Sequence, residues 1–479
     1  MKSGEMEIIM KIKLGLEKGN MEKIALWCGG ELYDFTGDLG CEFEYICTDS
    51  READANTMFV ATRGERVDGH DYIVNALNAG CRCILCEYVP TNISGRMAAY
   101  VVVENSIDAF ADCARGYRSE SPLPAVAITG SVGKTTTKEL TAAIINRKYN
   151  NYCTKGNFNS VIGMPMSLME ADQLAESAVF EMGMSDFGEI ERMTRAATPA
   201  VAMVTNIGSS HLEYLKTREN IAKAKLEIAL GICRGGYLLL NGDEPLLRAH
   251  KGRGYETLYV GVESDNKCEI MAKNVRVRED GTLFDLIFKN REYKDLSIPL
   301  IGRHFVYNAS FAVSAAILMD VGEDDIRAGL ASYVPNGMRQ NISVKNDVTV
   351  IADCYNAAPE SMRAAIDTLT SLKTEGKRIA VLGDMKELGK DSDEMHREIG
   401  RYLARAGVDA LYTLGENGAL IAESAIEAGV STVFAEKQSD GYESLAKEIR
   451  AAMQAGDVIL FKASRAMALE KLIALLFEE

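Results

Sequence analysis

The chain has 479 residues, of which 47% are hydrophobic and 25% charged. That balance excludes long disorder, and the length predicts about three domains, each large enough for its own core. The formal net charge of −16 argues against a sequence-independent nucleic-acid binder and against docking on anionic lipid. An anionic substrate then requires local cations and metal ions to overcome the general field. Eleven cysteines without a framework read as reduced thiols of a cytoplasmic protein. No apolar run reaches the ~18 residues of a membrane span.

Residues 1–20 read as an extension, either a short helix ahead of Met21 or residues upstream of the natural start. The first block then runs to residue 122. It has strand-like runs at Thr57–Ala61, Cys83–Cys86 and Tyr100–Val103, and a helical pattern at Tyr72–Ala79. The stretch Ser119–Pro124, with two prolines, marks its end. Cys81, Cys83 and Cys86 form C-x-C-x-x-C, but their apolar surroundings read as a strand with inward thiols rather than a metal site.

The second block, 123–335, opens with the buried-type run Ala125–Ile128. Further runs follow at Ala178–Glu181, Val201–Asn206, Tyr237–Leu240 and Leu258–Val260, separated by helical segments. This predicts a parallel sheet covered on both faces. From Ile270 to Pro299 the period changes to two, with a turn at Glu279–Thr282, and a helix follows over His304–Met319. The third block, 336–479, alternates strand and helix from Val348–Ala352 to a helix over Met467–Phe477, as a Rossmann-like fold does. The fold class is therefore α/β, in three domains: a small N-terminal substrate domain, a central phosphate-loop domain and a C-terminal Rossmann-like domain.

The strongest chemical signal is Thr129-Gly130-Ser131-Val132-Gly133-Lys134-Thr135-Thr136, between a strand and a helical run. Glycines let backbone N–H groups close on phosphate oxygens, and the helix start adds partial positive charge. Lys134 reaches the β and γ phosphates, and the Thr135 hydroxyl serves Mg²⁺. The longer G-x-x-x-x-G-K-[ST] pattern would place its first glycine at Ile128; the shorter T-G-x-x-G-K-T form fits fully. Asn266-Lys267-Cys268-Glu269 ends in the wrong acid for a guanine-reading N-K-x-D. Glu181 ends a strand of a doubly wound sheet, where ligands collect, and either coordinates a metal or begins a surface loop. His211 follows another strand, where a ligand or an acid–base group would stand, although a lone loop histidine is more often neither. Lys225, beside Lys223, reads from spacing alone as a solvated cationic face. His396 reads either as a site residue or as part of a solvated helix face, and Trp27 as packing.

Taken together and in order, TGSVGKTTTKE (129–139), GNFNSVIGMP (156–165), FEMGMSDFGEI (180–190), VTNIGSSHLE (204–213), DCYNAAPESMRAA (353–365) and VLGDMKELG (381–389) resemble the Mur ligase family of ATP-dependent amide-forming enzymes. The resemblance runs from about Thr48 to Met467. It fits most closely those members that join D-alanyl-D-alanine to UDP-N-acetylmuramoyl-tripeptide in peptidoglycan precursor synthesis, and so serve cell shape and division. It implies ATP and two Mg²⁺ ions. By resemblance the loop Gly130–Thr136 binds the nucleotide phosphates, Thr135 and Glu181 hold the first ion, and His211 the second. Lys225 stands where the family carries a lysine carbamylated by CO₂, and Lys134, His211 and Lys225 form the implied catalytic set. Asn308 matches an adenine contact, Asp353 a ribose contact, and Arg339 a nucleotide contact from the hinge. Ser50, Arg51, Asp68 and His70 match the uridine-diphosphate segment, and Asn157 and Asn159 contacts to the sugar-peptide. The chain departs from the family pattern at Asn159-Ser160, Gly337-Met338-Arg339 and Lys462-Ala463-Ser464-Arg465-Ala466.

The resemblance implies no membrane insertion and no nucleic-acid partner; a monomer is the default expectation. Two other readings compete: a folylpolyglutamate synthase-like ligase, whose relatives generally lack a large N-terminal nucleotide-sugar domain, and a nucleotide-binding interaction protein that ligates nothing. Lys134→Ala is expected to reduce ATP-dependent ligation by orders of magnitude while circular dichroism shows an unchanged fold; near-normal ligation would remove the assignment of the phosphate loop.

Overall fold

The computed structural model describes residues 11–36, 41–64, 67–91, 97–250, 252–335 and 338–477. Residues 1–10 of the expected extension, and Gly337 of the interrupted hinge pair, lie outside them. Among the described residues three large sheets each belong to one domain of an α/β architecture, and a fourth has only two strands, Gly19–Asn20 and Glu42–Phe43.

The first sheet has six strands in the order Lys11–Lys13, Tyr45–Cys47, Thr57–Val60, Cys83–Cys86, Ala99–Val102, Glu31–Asp34. The inner four are parallel and the two edges antiparallel. Part of the expected extra helix is therefore an edge strand. In Lys11-Ile12-Lys13 only Ile12 is buried, so a two-residue period places one side chain in the core and leaves the lysines outside. Cys83–Cys86 is buried on both faces: Cys83 and Leu85 join one core cluster, Ile84 and Cys86 another. The thiols of Cys81, Cys83 and Cys86 are free and pack in the core.

The second sheet has nine strands, in the order Asn151–Cys153, Ser177–Glu181, Ala125–Thr129, Val201–Val204, Tyr237–Asn241, Glu256–Val262, Ile270–Arg278, Gly281–Phe288, Arg291–Ile298. Neighbours are parallel as far as Ile270–Arg278, and the last two pairings are antiparallel. Ala125–Thr129 lies between Ser177–Glu181 and Val201–Val204, so the carboxyl ends of three strands open on one crevice. The third sheet runs Asn341–Lys345, Val348–Ala352, Val458–Lys462, Arg378–Gly383, Ala410–Leu414, Thr432–Glu436, parallel apart from its first strand. That first strand has no counterpart among the expected elements. It pairs with Val348–Ala352 through Asn346 and Asp347, both at positive φ (50° and 60°), the backbone a two-residue hairpin demands.

The first and second domains share one core, reaching from Ile12 and Val60 to Phe180 and Leu240. Helix Ser106–Ser119 joins them by packing on Met21–Cys28 and on the helices Gly163–Glu170 and Glu189–Ala197. Arg118 Nη1 donates to the Ala171 carbonyl at 2.8 Å, Gly15 N–H to Met169 at 2.9 Å, and Arg192 pairs with Asp108. Helix Lys134–Ile145 packs on His304–Leu318 and Glu323–Ser332. In the latter, a Cβ on Gly329 would lie 2.4 Å from Ile144 Cα, so the helices touch backbone to backbone. Gly329→Ala is expected to destabilise the fold by about 1–3 kcal/mol, read from the urea midpoint; an unchanged midpoint would show that this contact yields freely.

Candidate active site

Strand Ala125–Thr129 turns into helix Lys134–Ile145 through four residues, and two of them must be glycine. Gly133 has φ 81°, and a Cβ there would meet Asn308 Oδ1 at 2.6 Å. A Cβ on Gly130 would meet Thr205 Oγ1 at 1.9 Å. The loop is clasped by the segment after Val201–Val204. Asn206 Oδ1 accepts from Ser131 and Val132 N–H at 3.0 and 2.9 Å, Thr205 Oγ1 donates to the Val132 carbonyl at 2.7 Å, and Gly208 N–H donates to Ser131 Oγ at 2.8 Å.

Lys134 Nζ donates to the Gly130 carbonyl at 2.8 Å. Burial pushes its pKa down, and the nearby Glu181 carboxylate opposes that shift. Glu181 is buried at the end of its strand, in register with Ile128. Its Oε2 accepts from Thr135 Oγ1 and its Oε1 from Asn159 Nδ2, each at 2.8 Å. A hydroxyl and a carboxylate side by side at the start of the helix are hard oxygen donors, the chemistry Mg²⁺ takes when phosphate oxygens complete its shell. These two residues fit that ion.

They open on a cavity of about 580 Å³, within the range of nucleotide-sized ligand pockets. The second domain contributes Ser131–Thr136, Asn159, Glu181 and Asn308 to its wall, and the third contributes Arg339, Asp353 and Lys462. The Arg339 guanidinium lies 3.9 Å from the centre of the Tyr355 ring. Asp353 accepts from the buried Lys462 Nζ at 2.6 Å, and Lys462 also donates to the Asn356 carbonyl at 3.0 Å. His304, on the same wall, is pushed down to about 4 by burial and then by the charge of Lys462, so the ring is neutral at pH 7.

Two of the three expected catalytic residues, His211 and Lys225, stand outside this wall. His211 adopts a left-handed backbone (φ 66°), and its Nδ1 lies 2.8 Å from Glu387 of the third domain. The Glu387 carboxyl is lowered by that histidine. Lys225 is 1% exposed rather than on a solvated face. No carboxylate pairs with it among the described residues; burial drives its pKa well down, and Lys134 adds to the shift. Among the described residues no group of three or more His, Cys, Asp or Glu side chains could hold a metal ion.

The first-domain residues stand apart from the cavity. Ser50 and Arg51 lie on a short 3-10 turn capped by Asp49, on which the exposed Arg51 guanidinium folds back. Asp68 caps the next such turn, and its Oδ1 is 2.6 Å from His70 Nδ1. His70 Nε2 accepts from Glu87 N–H at 2.9 Å, and the ring stacks on Tyr88 at 4.8 Å. Both nitrogens of His70 are thus taken up within the fold. Residues 65 and 66 of the same segment lie outside the described ones. Asn157 is exposed beside the left-handed Gly156, and its carbonyl accepts from Asn159 N–H at 2.7 Å. His396 is buried: its Nε2 accepts from Met385 N–H at 2.9 Å and its Nδ1 faces the Ser392 carbonyl at 2.7 Å. It braces the loop that carries Glu387 rather than facing solvent. Asn206, Tyr355, His304 and Glu387 were given no role by the sequence. The only signal was that all but His304 lie inside motifs already singled out.

The comparisons with known proteins cover the same three domains. Residues 42–118 match the description "Mur ligase family, catalytic domain", 128–316 "Mur ligase middle domain" and 338–465 "Mur ligase, glutamate ligase domain". UDP-N-acetylmuramoyl-tripeptide–D-alanyl-D-alanine ligase of Bacillus subtilis is 36% identical over 437 residues, 90% of this chain and 93% of its own. A crystal structure of MurF from Acinetobacter baumannii superposes with a TM-score of 0.87 at 29% identity, over 98% of this chain and 100% of that one. The MurF ligase of Thermotoga maritima in complex with ADP does so with a TM-score of 0.78 at 31% identity, over 90% and 96%. With the phosphate loop, its clasp and the facing third domain in one cavity, and with this likeness along nine-tenths of its length, the chain belongs to the Mur ligase family.

Proposed function

We propose that this chain is an ATP-dependent ligase that joins D-alanyl-D-alanine to UDP-N-acetylmuramoyl-tripeptide in peptidoglycan precursor synthesis, releasing ADP and phosphate. The observation that carries the reading is the single cavity walled by Lys134, Thr135 and Glu181 on one side and Arg339 and Asp353 on the other. No helix among the described residues is long and apolar enough to cross a membrane. The eleven free thiols suit a reaction in the cytoplasm.

A carboxylate does not acylate an amine at pH 7, because its oxygen is a poor leaving group. Transfer of the γ-phosphoryl group of ATP gives an acyl phosphate. The dipeptide amine attacks its carbonyl, and the tetrahedral oxyanion collapses with loss of phosphate. Both steps bring anions together. The N–H groups at the start of helix Lys134–Ile145, together with Lys134 Nζ, hold the phosphates and lower that repulsion. Mg²⁺, held by Thr135, Glu181 and phosphate oxygens, would neutralise further phosphate charge. Asn159 orients Glu181 by filling its second oxygen. Asn308 contacts the adenine from beside Gly133, Asp353 takes the ribose, and Arg339, over the Tyr355 ring, takes the nucleotide from the third domain. The third domain covers the cavity and keeps water from the acyl phosphate. Ser50, Arg51 and Asp68 receive the uridine diphosphate end with His70 bracing Asp68 from below, and the exposed Asn157 faces the sugar-peptide.

Lys225 suits carbamylation. Burial favours its neutral amine, which adds to CO₂ to give a carbamate and one proton. The product is a carboxylate beside the cation Lys134, so the repulsion between two ammonium groups becomes an attraction. With labelled ¹³CO₂, a carbamate carbon resonance is expected in the intact protein and not in Lys225→Ala; its absence from the intact protein would count against the modification. The activity itself is tested by phosphate release from ATP. Release is expected with the nucleotide-tripeptide and D-alanyl-D-alanine, but neither with glutamate plus a folate nor with no acceptor. Turnover with the folate pair would favour the folylpolyglutamate reading instead, and the absence of turnover with either would favour a binding protein.

A further inference from the structure

Five carboxylates line the cavity: Glu181, Asp243, Glu244, Asp353 and Glu360. Four are engaged within their own domain. Glu181 accepts from Thr135 and Asn159, Asp243 from Tyr307 and Asn266, Glu244 from Leu246 N–H and Arg218, and Asp353 from Lys462. Glu360 alone reaches across. It stands in the first turn of the third-domain helix Pro359–Ser371, and its Oε1 accepts from Ser209 Oγ at 2.9 Å, in the second-domain segment that clasps the phosphate loop. Its Oε2 is buried and has no hydrogen-bond partner among the described residues.

The contact continues to the loop itself. A Cβ on Gly208 would lie 3.0 Å from Glu360 Oε2 and 3.1 Å from Ser131 Cβ, so Gly208 is packed against both. Gly208 N–H also holds Ser131 Oγ at 2.8 Å, and Ser131 N–H is held by Asn206. Two hydrogen bonds and one packed glycine therefore connect a third-domain side chain to the second residue of the phosphate loop.

We propose that Glu360 is a positioning residue for nucleotide binding: from the third domain it holds Ser209 and Gly208, and through them fixes Ser131 in the arrangement that receives phosphate. It acts through Ser209 and Gly208. A loop that spends less of its time in the binding arrangement binds nucleotide more weakly by that fraction. The property used is the acceptor oxygen toward Ser209, so the amide of glutamine can replace the carboxylate where alanine cannot.

The proposal rests on the ligase reading for its assay, so turnover of the unmodified enzyme with tripeptide and dipeptide is the control on that reading. ADP affinity, measured by calorimetry, stands independently of any acceptor. Glu360→Ala is expected to raise KM for ATP and Kd for ADP roughly 3- to 10-fold, with kcat changed by less than about twofold. Glu360→Gln is expected to restore both constants to within about twofold of the unmodified enzyme. Ser209→Ala should match Glu360→Ala, and the double variant should be no weaker than either single one, because both remove the same bond. The proposal is overturned if glutamine is as damaging as alanine, if the two single effects multiply, or if ADP affinity is unchanged in Glu360→Ala.

Discussion

A turn of four residues that must bind a polyphosphate has to hold one shape with little side-chain bulk to brace it. In this protein that constraint is met from outside the turn. Thr205, Asn206 and Gly208 grip the carbonyl, N–H and hydroxyl groups of Ser131 and Val132, and Asn308 abuts Gly133. The glycines at 130 and 133 are required less for flexibility than for this closeness, since any Cβ would displace the residues that grip the loop. The parallel order of the second sheet makes the grip available. Only a strand beside Ala125–Thr129 can end level with the loop, and Val201–Val204 and Ser177–Glu181 are its two neighbours.

Electrostatics poses the second problem. A chain with net charge −16 must receive an anionic nucleotide and an anionic sugar-peptide. The cavity meets it by committing its own carboxylates locally. Glu181 is filled by a hydroxyl and an amide, Asp353 by Lys462, and Asp243 is shared among several donors. Lys134 and Arg339 then act on the cavity with their charge little compensated. Lys225 is the exception, a buried amine that feels the charge of Lys134, and its protonated form is costly there.

Much of this was legible beforehand, for identifiable reasons. Cys83–Cys86 and Val348–Ala352 have their expected bounds because continuous apolar runs closed by turn residues admit few alternatives. The phosphate loop was legible because its chemistry is local, within eight consecutive residues. The edge strands Lys11–Lys13 and Asn341–Lys345 were not, since short half-exposed strands are specified by their partners rather than by their own pattern. Of the two readings of His396, the solvated face does not hold: its helix is strongly polar elsewhere, and only the neighbouring loop supplies the N–H that its buried ring accepts.

By itself, then, the order of residues determined the α/β class, the phosphate loop and the family resemblance, and named about a third of the residues that line the cavity, because each depends on periodicity or on contiguous chemistry. The tertiary structure alone decided that Glu181 is shared by Thr135 and Asn159, that His211 faces Glu387, that both nitrogens of His70 are used within the fold, and that Lys225 is buried beside Lys134. The first three outcomes depend on which side chains are brought within about 3 Å of one another and the last on what covers Lys225, and distance through space is set by how the sheets and helices pack rather than by separation along the chain.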